Sequence, residues 1–498
     1  MNRLSVWMLA AVVSVSSTST KADDLWQFSL KFTESVHAEP FTGRVYIIFS
    51  LRNQEPRTGP SWFTPEQFIS LDVENLKPGE TLKISDRTPG LLGHPVPLAD
   101  MKLAGYRAQA VARFNPWERT IGTGPGNGYS KVTVIEQTGE QNNLVVNTLI
   151  PAKQFRETRW TKLLSAKSKL LSDFYGHDVS PNASVTLPAS YDSEPARRYP
   201  VIYTIPGFGG DHFGGVRDEP LAEDNPGKVE FIRVTLDPGC PLGHHVFADS
   251  ANNGPRGKAL IEEFIPELDR QFRTIAKPSA RFLTGHSSGG WSSLWVQVTY
   301  PEHFAGVWST SPDPVDFRDF QRINMYADGE NMFVDRDKNP RPLARIGGQV
   351  RLWYQGFDSM EWVLGPGGQL HSFEAAFSER GEDGKPVLAW DRKTGAVNTQ
   401  TTANWKKYDI NLILKENWDS LGPKLKGKLR VYMGDADTFY LEGATILLKK
   451  TLEELGSDAV IEIQPGKNHF NLPNAAMMQR IRTDMSQEFL KAHPEEKR

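Results

Sequence analysis

The stretch T284-G-H-S-S-G-G-W291 lies between a short apolar run, A280-R-F-L-T284, and a segment with helical character that stops before Pro301. It fits the pattern Gly-x-Ser-x-Gly as Gly285-His286-Ser287-Ser288-Gly289. Alone, so short a pattern is a weak signal. Its setting gives it weight. A strand followed at once by a helix, with small residues on both sides of a serine, is the setting of a nucleophile elbow. There the hydroxyl is exposed at the carboxyl end of a sheet, and the next residue's N–H points at the reacting oxygen. Ser287 is therefore the candidate nucleophile. Ser288, out of register with the flanking glycines, is the candidate donor of one oxyanion N–H.

A serine attacks poorly without a base, and the base needs an acid to orient it. On a sheet of this kind the partners follow in the order Ser, Asp/Glu, His. His371, His469 and His493 lie beyond the serine's own helix and the next strand, and only the last two follow the late strand "LRVYMGDAD". His493 sits in the charged tail, which leaves His469, in the loop after "AVIEIQ". The acid is Asp435 or Asp437, and Asp437 is the better placed, because it lies beyond the strand end. A second oxyanion donor comes from the loop after an early strand. "YTIPGFGGDH" supplies it, with the N–H of Phe208 preferred and Gly209 next. The loop "GHHVFADSANNGP" offers His244, His245, Asp249 and Asn252 as residues bordering the cleft. This chemistry calls for no metal and no organic cofactor.

Around these residues the chain divides. Residues 24–150 show period-two alternation, as in "FTGRVYIIFSL" and "NNLVVNTLI", and predict an all-β, sandwich-like N-terminal domain. Its glycine run "GTGPGNG" (122–128) lacks the spacing of a dinucleotide cradle and reads as a hairpin. Residues 151–178 read as a linker helix, with Trp160, Leu163, Leu164, Leu170 and Leu171 as an apolar stripe. From 179 to 498 strands alternate with helices, which argues for a mainly parallel, doubly wound α/β sheet. Residues of about 315–425 break that rhythm and read as an insertion holding Trp353, Trp362, Trp390, Trp405 and Trp418. These rings are candidates for a substrate wall over the site. In the same segment Asp335-x-Asp337-x-Asn339 mimics a calcium loop, but Pro340 and Ile346 stand where glycine and glutamate are needed.

Composition sets outer limits. A net charge of −3 over 498 residues, with no basic run, argues against a nucleic-acid partner. Arg3, the apolar Leu4–Val15 and a small-residue stretch predict a signal peptide over residues 1–22, cut after Ala22. The expectation is a secreted or periplasmic protein with no membrane span. The single cysteine, Cys240, excludes an intrachain disulfide and a multi-thiolate metal site.

The runs "VTLPASYDSEPARRYPVIYTIPGFGG", "LIEEFIPELDRQFR", "GHSSGGWSSLW", "MGDADTFYL" and "GKNHF" resemble the putative-esterase family of α/β-hydrolases. That group includes enterochelin, feruloyl and acetylxylan esterases, S-formylglutathione hydrolases and mycolyltransferases. The resemblance covers residues 180–315 and 428–485, and neither the β-domain nor the insertion. It implies an α/β-hydrolase fold and places the nucleophile on Ser287, the acid on Asp437 of a Gly-x-x-Asp pattern, the base on His469 and the early donor on Phe208. The function it implies is hydrolysis of a small-molecule or glycan-linked carboxylic ester. An acyltransferase using the same residues, and a glycan-binding protein on an esterase scaffold, are the alternatives.

Overall fold

The computed structural model describes residues 26–221 and 225–497, so the expected signal peptide lies outside the described residues. Among the described residues no helix is long and apolar enough to cross a membrane.

The N-terminal unit is one continuous nine-stranded sheet instead of two separate ones, running from Gln27–Phe32 to Gln141–Leu149. It curls round a single core to which alternate residues of its strands contribute, among them Phe28, Leu30, Val45, Ile47, Phe49, Ile69, Ala110, Leu144 and Val146. The strand Phe41–Ser50 shows why this unit does not stand alone. Val45, Ile47 and Phe49 enter its own core, while Tyr46 and Ile48, on the opposite face, join the core of the α/β unit. An apolar residue at every position from Val45 to Phe49 goes with a strand buried on both faces there. The loop around 122–128 joins two antiparallel neighbours, Arg107–Ala112 and Gly128–Ser130, as a hairpin connection.

The linker-helix expectation is corrected. Thr161–Ser165 is an edge strand, antiparallel to Asn182–Thr186, and only Lys169–Tyr175 is helical. Leu164 points into the core while Leu163 is only half-buried, a period of two that a helical reading of the stripe overlooks. The helix starts where its cap allows. The Ser168 side chain accepts from the Leu171 N–H, Glu263 accepts from the Leu170 N–H, and Gly176 ends the helix at φ 74°.

The α/β unit is an eight-stranded sheet. In spatial order the strands are Thr161–Ser165, Asn182–Thr186, Ile232–Leu236, Val201–Ile205, Arg281–His286, Gly306–Thr310, Leu429–Gly434 and Val460–Gln464. The Asn182–Thr186 strand runs antiparallel to both neighbours, and from Ile232–Leu236 onward every pairing is parallel. That is the α/β-hydrolase arrangement. Loops leaving the carboxyl ends of five of these strands lead to Phe208, Ser287, Asp313, Asp437 and His469, so all five arrive at one edge of the sheet. Between the Gly306–Thr310 and Leu429–Gly434 strands the insertion folds as a hairpin (Pro342–Ile346, Gln349–Trp353) followed by helices Tyr354–Leu364, Gln369–Phe377 and Ile410–Leu425.

Candidate active site

Ser287 joins the Arg281–His286 strand to the Ser288–Thr299 helix at φ 59° and ψ −127°. A non-glycine residue with positive φ is strained, by about 1–3 kcal/mol, and persists only where its surroundings enforce it. Here they do. The Ser287 N–H donates to the Thr310 carbonyl at 3.1 Å, and the Ser287 carbonyl accepts from Trp291 at 3.0 Å and Asp313 at 3.3 Å. The turn also needs its glycines. A Cβ on Gly285 would lie 2.0 Å from the Gly289 carbonyl oxygen, and one on Gly289 would lie 1.9 Å from that of Ile205. The serine, strained and pinned, opens onto a cavity of about 370 Å³.

His469 lines the same cavity. Its Nδ1 lies 2.9 Å from Asp437 Oδ2, and both side chains are buried. Asp437 Oδ1 accepts the Phe439 N–H at 2.8 Å, so the carboxylate is held on both oxygens. With Nδ1–H donating to Asp437, Nε2 of His469 is free to accept a proton. The sequence left Asp435 open as the acid. It is exposed, and its Oδ1 accepts the Gly466 N–H at 2.7 Å, so it shapes the turn before His469 without reaching the ring. His371 and His493 bond elsewhere, to Asp358 and to Ser279, and neither lines the cavity.

The Phe208 loop lies against the elbow. A Cβ on Gly207 would stand 3.0 Å from the His286 carbonyl oxygen and 3.2 Å from Ser287 Cβ, so glycine gives this close approach of the two loops its clearance. His244 lies beneath it. Its Nε2 bonds the Pro206 carbonyl at 3.0 Å and its Nδ1 accepts the Val246 N–H at 3.1 Å. Burial pushes its pKa down to about 4, which keeps the ring neutral and in the tautomer that donates to Pro206.

The four loop residues expected at the cleft do not line it. His244 buttresses the Phe208 loop from below. His245 accepts the Phe247 N–H and is driven well below the ordinary histidine range by burial. Asp249 caps a helix through Gly257 and Lys258 and accepts from the Tyr300 hydroxyl, and Asn252 donates to Ser378. Two histidines, an aspartate and an asparagine in a long loop look reactive, yet they satisfy buried backbone groups here. Cys240 is also buried, which raises its thiol pKa and removes it as a nucleophile.

The tryptophan expectation is corrected as well. Trp390 and Trp405 are core residues, Trp418 packs against the core, Trp353 and Trp362 are exposed, and none of the five lines the cavity. The insertion does wall the site, through Leu343, Phe357, Gln369, Leu370 and Phe373. Among the described residues the one tryptophan that lines it is Trp62, next to Phe63 in the N-terminal unit. Only an aromatic pair in a Pro-rich loop, "GPSWFTPEQ", marked that contribution in the sequence.

Asp313 was also missed. It lines the cavity fully buried, and its Oδ2 accepts from Ser288 Oγ at 2.6 Å and from Gln369 Nε2 at 3.3 Å. Burial, partly offset by the Ser288 hydrogen bond, raises its pKa to about 6 from 3.8. A carboxyl with a raised folded-state pKa stabilises the fold fully below its unfolded value and loses that contribution as pH rises through the folded one. At about 1.36 kcal/mol per pKa unit the cost at neutral pH is on the order of 3 kcal/mol. Asp313→Asn keeps an acceptor for Ser288 and does not titrate. Its stability relative to the native chain is expected to rise between pH 4 and pH 7 by up to ~3 kcal/mol, measured by denaturant unfolding at each pH. A gap that does not change with pH would show that the carboxyl ionises without penalty.

Among the described residues no group of three His, Cys, Asp or Glu side chains is placed to hold a metal ion. Residues 178–409 match the family described as "Putative esterase", a span that holds Phe208 and Ser287 and stops before Asp437 and His469. An esterase of Mycobacterium tuberculosis is 30% identical over 164 residues, which are 31% of this chain and 34% of that protein. The chain thus spans about a third of the length of the curated relative it matches. Among solved structures, a ferulic acid esterase aligns with 14% identity and a TM-score of 0.40, over 66% of this chain and 99% of its own. The S-formylglutathione hydrolase of Agrobacterium tumefaciens aligns with 13% identity and a TM-score of 0.38, over 68% and 95%. Over residues 178–409 this chain is thus similar to the putative-esterase family, a likeness that the sheet order and the elbow described above share.

Proposed function

We propose that the protein is a serine hydrolase that cleaves carboxylic esters through an acyl-enzyme, with Ser287, His469 and Asp437 as its catalytic residues. The observation that carries this reading is one shared cavity. Into it open a serine on a strained elbow and a histidine whose far nitrogen is fixed by a buried carboxylate. In the first half-reaction His469 Nε2 takes the Ser287 proton as Oγ bonds the ester carbonyl carbon. The carbonyl π electrons move to oxygen, and the N–H groups of Phe208 and Ser288 receive the negative charge. Collapse expels the alcohol, which takes the proton back from His469. Water then repeats the sequence on the acyl-Ser287 and releases the acid. Asp437 stays ionised throughout and holds the ring.

The wall limits the substrate. Apart from the polar floor of Asp313, Gln369 and Gln321, the lining is mostly aromatic and aliphatic, which favours an ester with a bulky apolar or aromatic group. The charged, apolar and small-residue pattern of residues 1–22 supports export. Hydrolysis of p-nitrophenyl esters and of a panel of acetyl, feruloyl, glucuronoyl and siderophore esters tests the reading. Turnover of at least the activated esters is expected, with stoichiometric labelling of Ser287 by a fluorophosphonate. A folded protein that neither turns them over nor is labelled would refute it.

A further inference from the structure

The α/β unit does not close its own cavity. Trp62 and Phe63, from the loop between strands Phe41–Ser50 and Gln67–Leu76 of the N-terminal unit, line it beside Ser287. The Trp62 ring touches three separate walls. It stacks on Phe208 at 5.6 Å between centroids and 28° between planes. It also meets Phe357 edge-on at 5.3 Å and Phe439 at 6.0 Å. Phe208 belongs to the oxyanion loop, Phe357 to the insertion, and Phe439 to the loop after Asp437. A second residue of the N-terminal unit, Arg119, sets its guanidinium carbon 5.0 Å from the centroid of the same Phe208 ring.

The Phe208 peptide needs such support. Glycines flank it on both sides, and Gly209 has φ 88°. Backbone of this kind has much conformational freedom to lose. Within the α/β unit it is held by the Gly210 N–H to Gly207 carbonyl turn and, one residue earlier, by His244 on the Pro206 carbonyl. The Phe208 ring, which carries its own N–H with it, is gripped from the N-terminal unit.

That unit is itself anchored. Arg44 donates to the carbonyls of Trp362 and Val363, Tyr46 to that of Leu364, and Ser70 to that of Val363. These are the last carbonyls of the Tyr354–Leu364 helix, which have no partner within the helix, and a cation beside them is also favoured by the helix dipole. Phe357 rides on this helix. Glu361, also on it, accepts from the N–H groups of Gln369, Leu370 and His371 and so fixes the start of the next helix, which brings Gln369 to Ser288. The N-terminal sheet is thus wired by hydrogen bonds to the roof of the cavity.

We propose that the N-terminal β-unit is a working wall of the active site. Trp62 and Arg119 are positioning residues that hold the Phe208 N–H on the oxyanion, and Trp62 with Phe63 limits the bulky groups that fit. The inference rests on the ester-cleaving reading above. It departs from the alternative of a glycan-binding protein on an esterase scaffold, because the surface in question faces Ser287.

The test uses the full chain and the variants Trp62→Ala, Trp62→Phe and Arg119→Ala. Steady-state kinetics on p-nitrophenyl acetate are normalised to the number of sites labelled by a fluorophosphonate, with the melting temperature measured alongside. The acetyl group is too small to need the wall, so it reports the positioning of Phe208. Trp62→Ala is expected to lower kcat per labelled site about tenfold or more, since small misplacements of a catalytic donor are costly. KM should change less than kcat. Trp62→Phe should restore most of the loss, and Arg119→Ala should lower kcat by a smaller factor. Wild-type kcat per labelled site in Trp62→Ala and Arg119→Ala overturns the proposal, even where the melting temperature falls, because the residues would then act only on the fold. A Trp62→Phe variant as poor as Trp62→Ala overturns it too. If Trp62→Ala does not fold, Arg119→Ala decides the matter: a lowered kcat per labelled site supports the proposal, and a wild-type value overturns it. A native chain with neither turnover nor labelling fails at the ester reading instead, and the positioning role falls with it.

Discussion

Replacing Ser287 with alanine is expected to lower ester turnover by roughly 10³- to 10⁶-fold while leaving the protein folded. The side chain lost is one hydroxyl facing a cavity, so no packed volume goes with it. The strained backbone at φ 59° is pinned by the bonds to Thr310, Trp291 and Asp313, all of which use Ser287 backbone atoms and survive the change. Ser288 cannot take over. Its buried hydroxyl donates to Asp313 at 2.6 Å and accepts from Gln369 at 3.1 Å, and Ser288 is not among the residues that line the cavity. What remains is the binding and oxyanion contribution, which in serine hydrolases leaves a residual rate well above that in water. The measurement is kcat/KM on an activated ester, with circular dichroism and thermal melting to show that the variant is folded. Near-native turnover in a folded Ser287→Ala protein would remove the nucleophile assignment and the acyl-enzyme with it.

The residues that are close in sequence to their strand ends were the legible ones. Ser287, Asp437 and His469 each follow a strand whose apolar run is plain in the sequence, and chain order with position left few rivals. What sequence could not supply was contact across distant segments. Trp62 meets Phe208, Phe357 and Phe439, partners that are remote from it and from one another along the chain. The insertion tryptophans misled for a related reason. An aromatic residue in irregular sequence looks exposed, yet Trp390 and Trp405 are 1% and 0% exposed and hold the insertion's own core. His244 and His245 misled in the opposite sense, since a polar residue beside a candidate site can be there to satisfy backbone groups that folding has buried. The Phe41–Ser50 strand, read from sequence as alternating, is buried on both faces along its unbroken apolar run "VYIIF". Only the docked α/β unit explains that run.

Asp437→Asn is expected to lower kcat about 10⁴-fold, whereas Asp435→Asn should stay within a few-fold of the native rate. The two carboxylates are two residues apart, and their hydrogen bonds make the difference. Asp437 Oδ1 accepts the Phe439 N–H, and Oδ2 accepts from His469 Nδ1. Both neighbours are donors, and a carboxylate serves both. An asparagine has only one oxygen. If that oxygen keeps the Phe439 N–H, the amide NH₂ faces His469, and Nδ1 must become the acceptor. The ring proton then moves to Nε2, the nitrogen that has to receive the proton of Ser287, and the base is lost. The reverse rotamer sets two N–H donors against each other at Phe439 in a buried site, which costs about 1–3 kcal/mol for the unsatisfied group. Neither arrangement yields the native tautomer at no cost. Asp435 makes no comparable demand. It accepts one N–H, from Gly466, at an exposed position, and an asparagine oxygen does the same. Purified variants compared at matched melting temperature decide the point. Equal losses at both positions, or the larger loss at Asp435, would mean that the carboxylate 2.9 Å from His469 does not set its tautomer, and the catalytic residues would have to be reassigned.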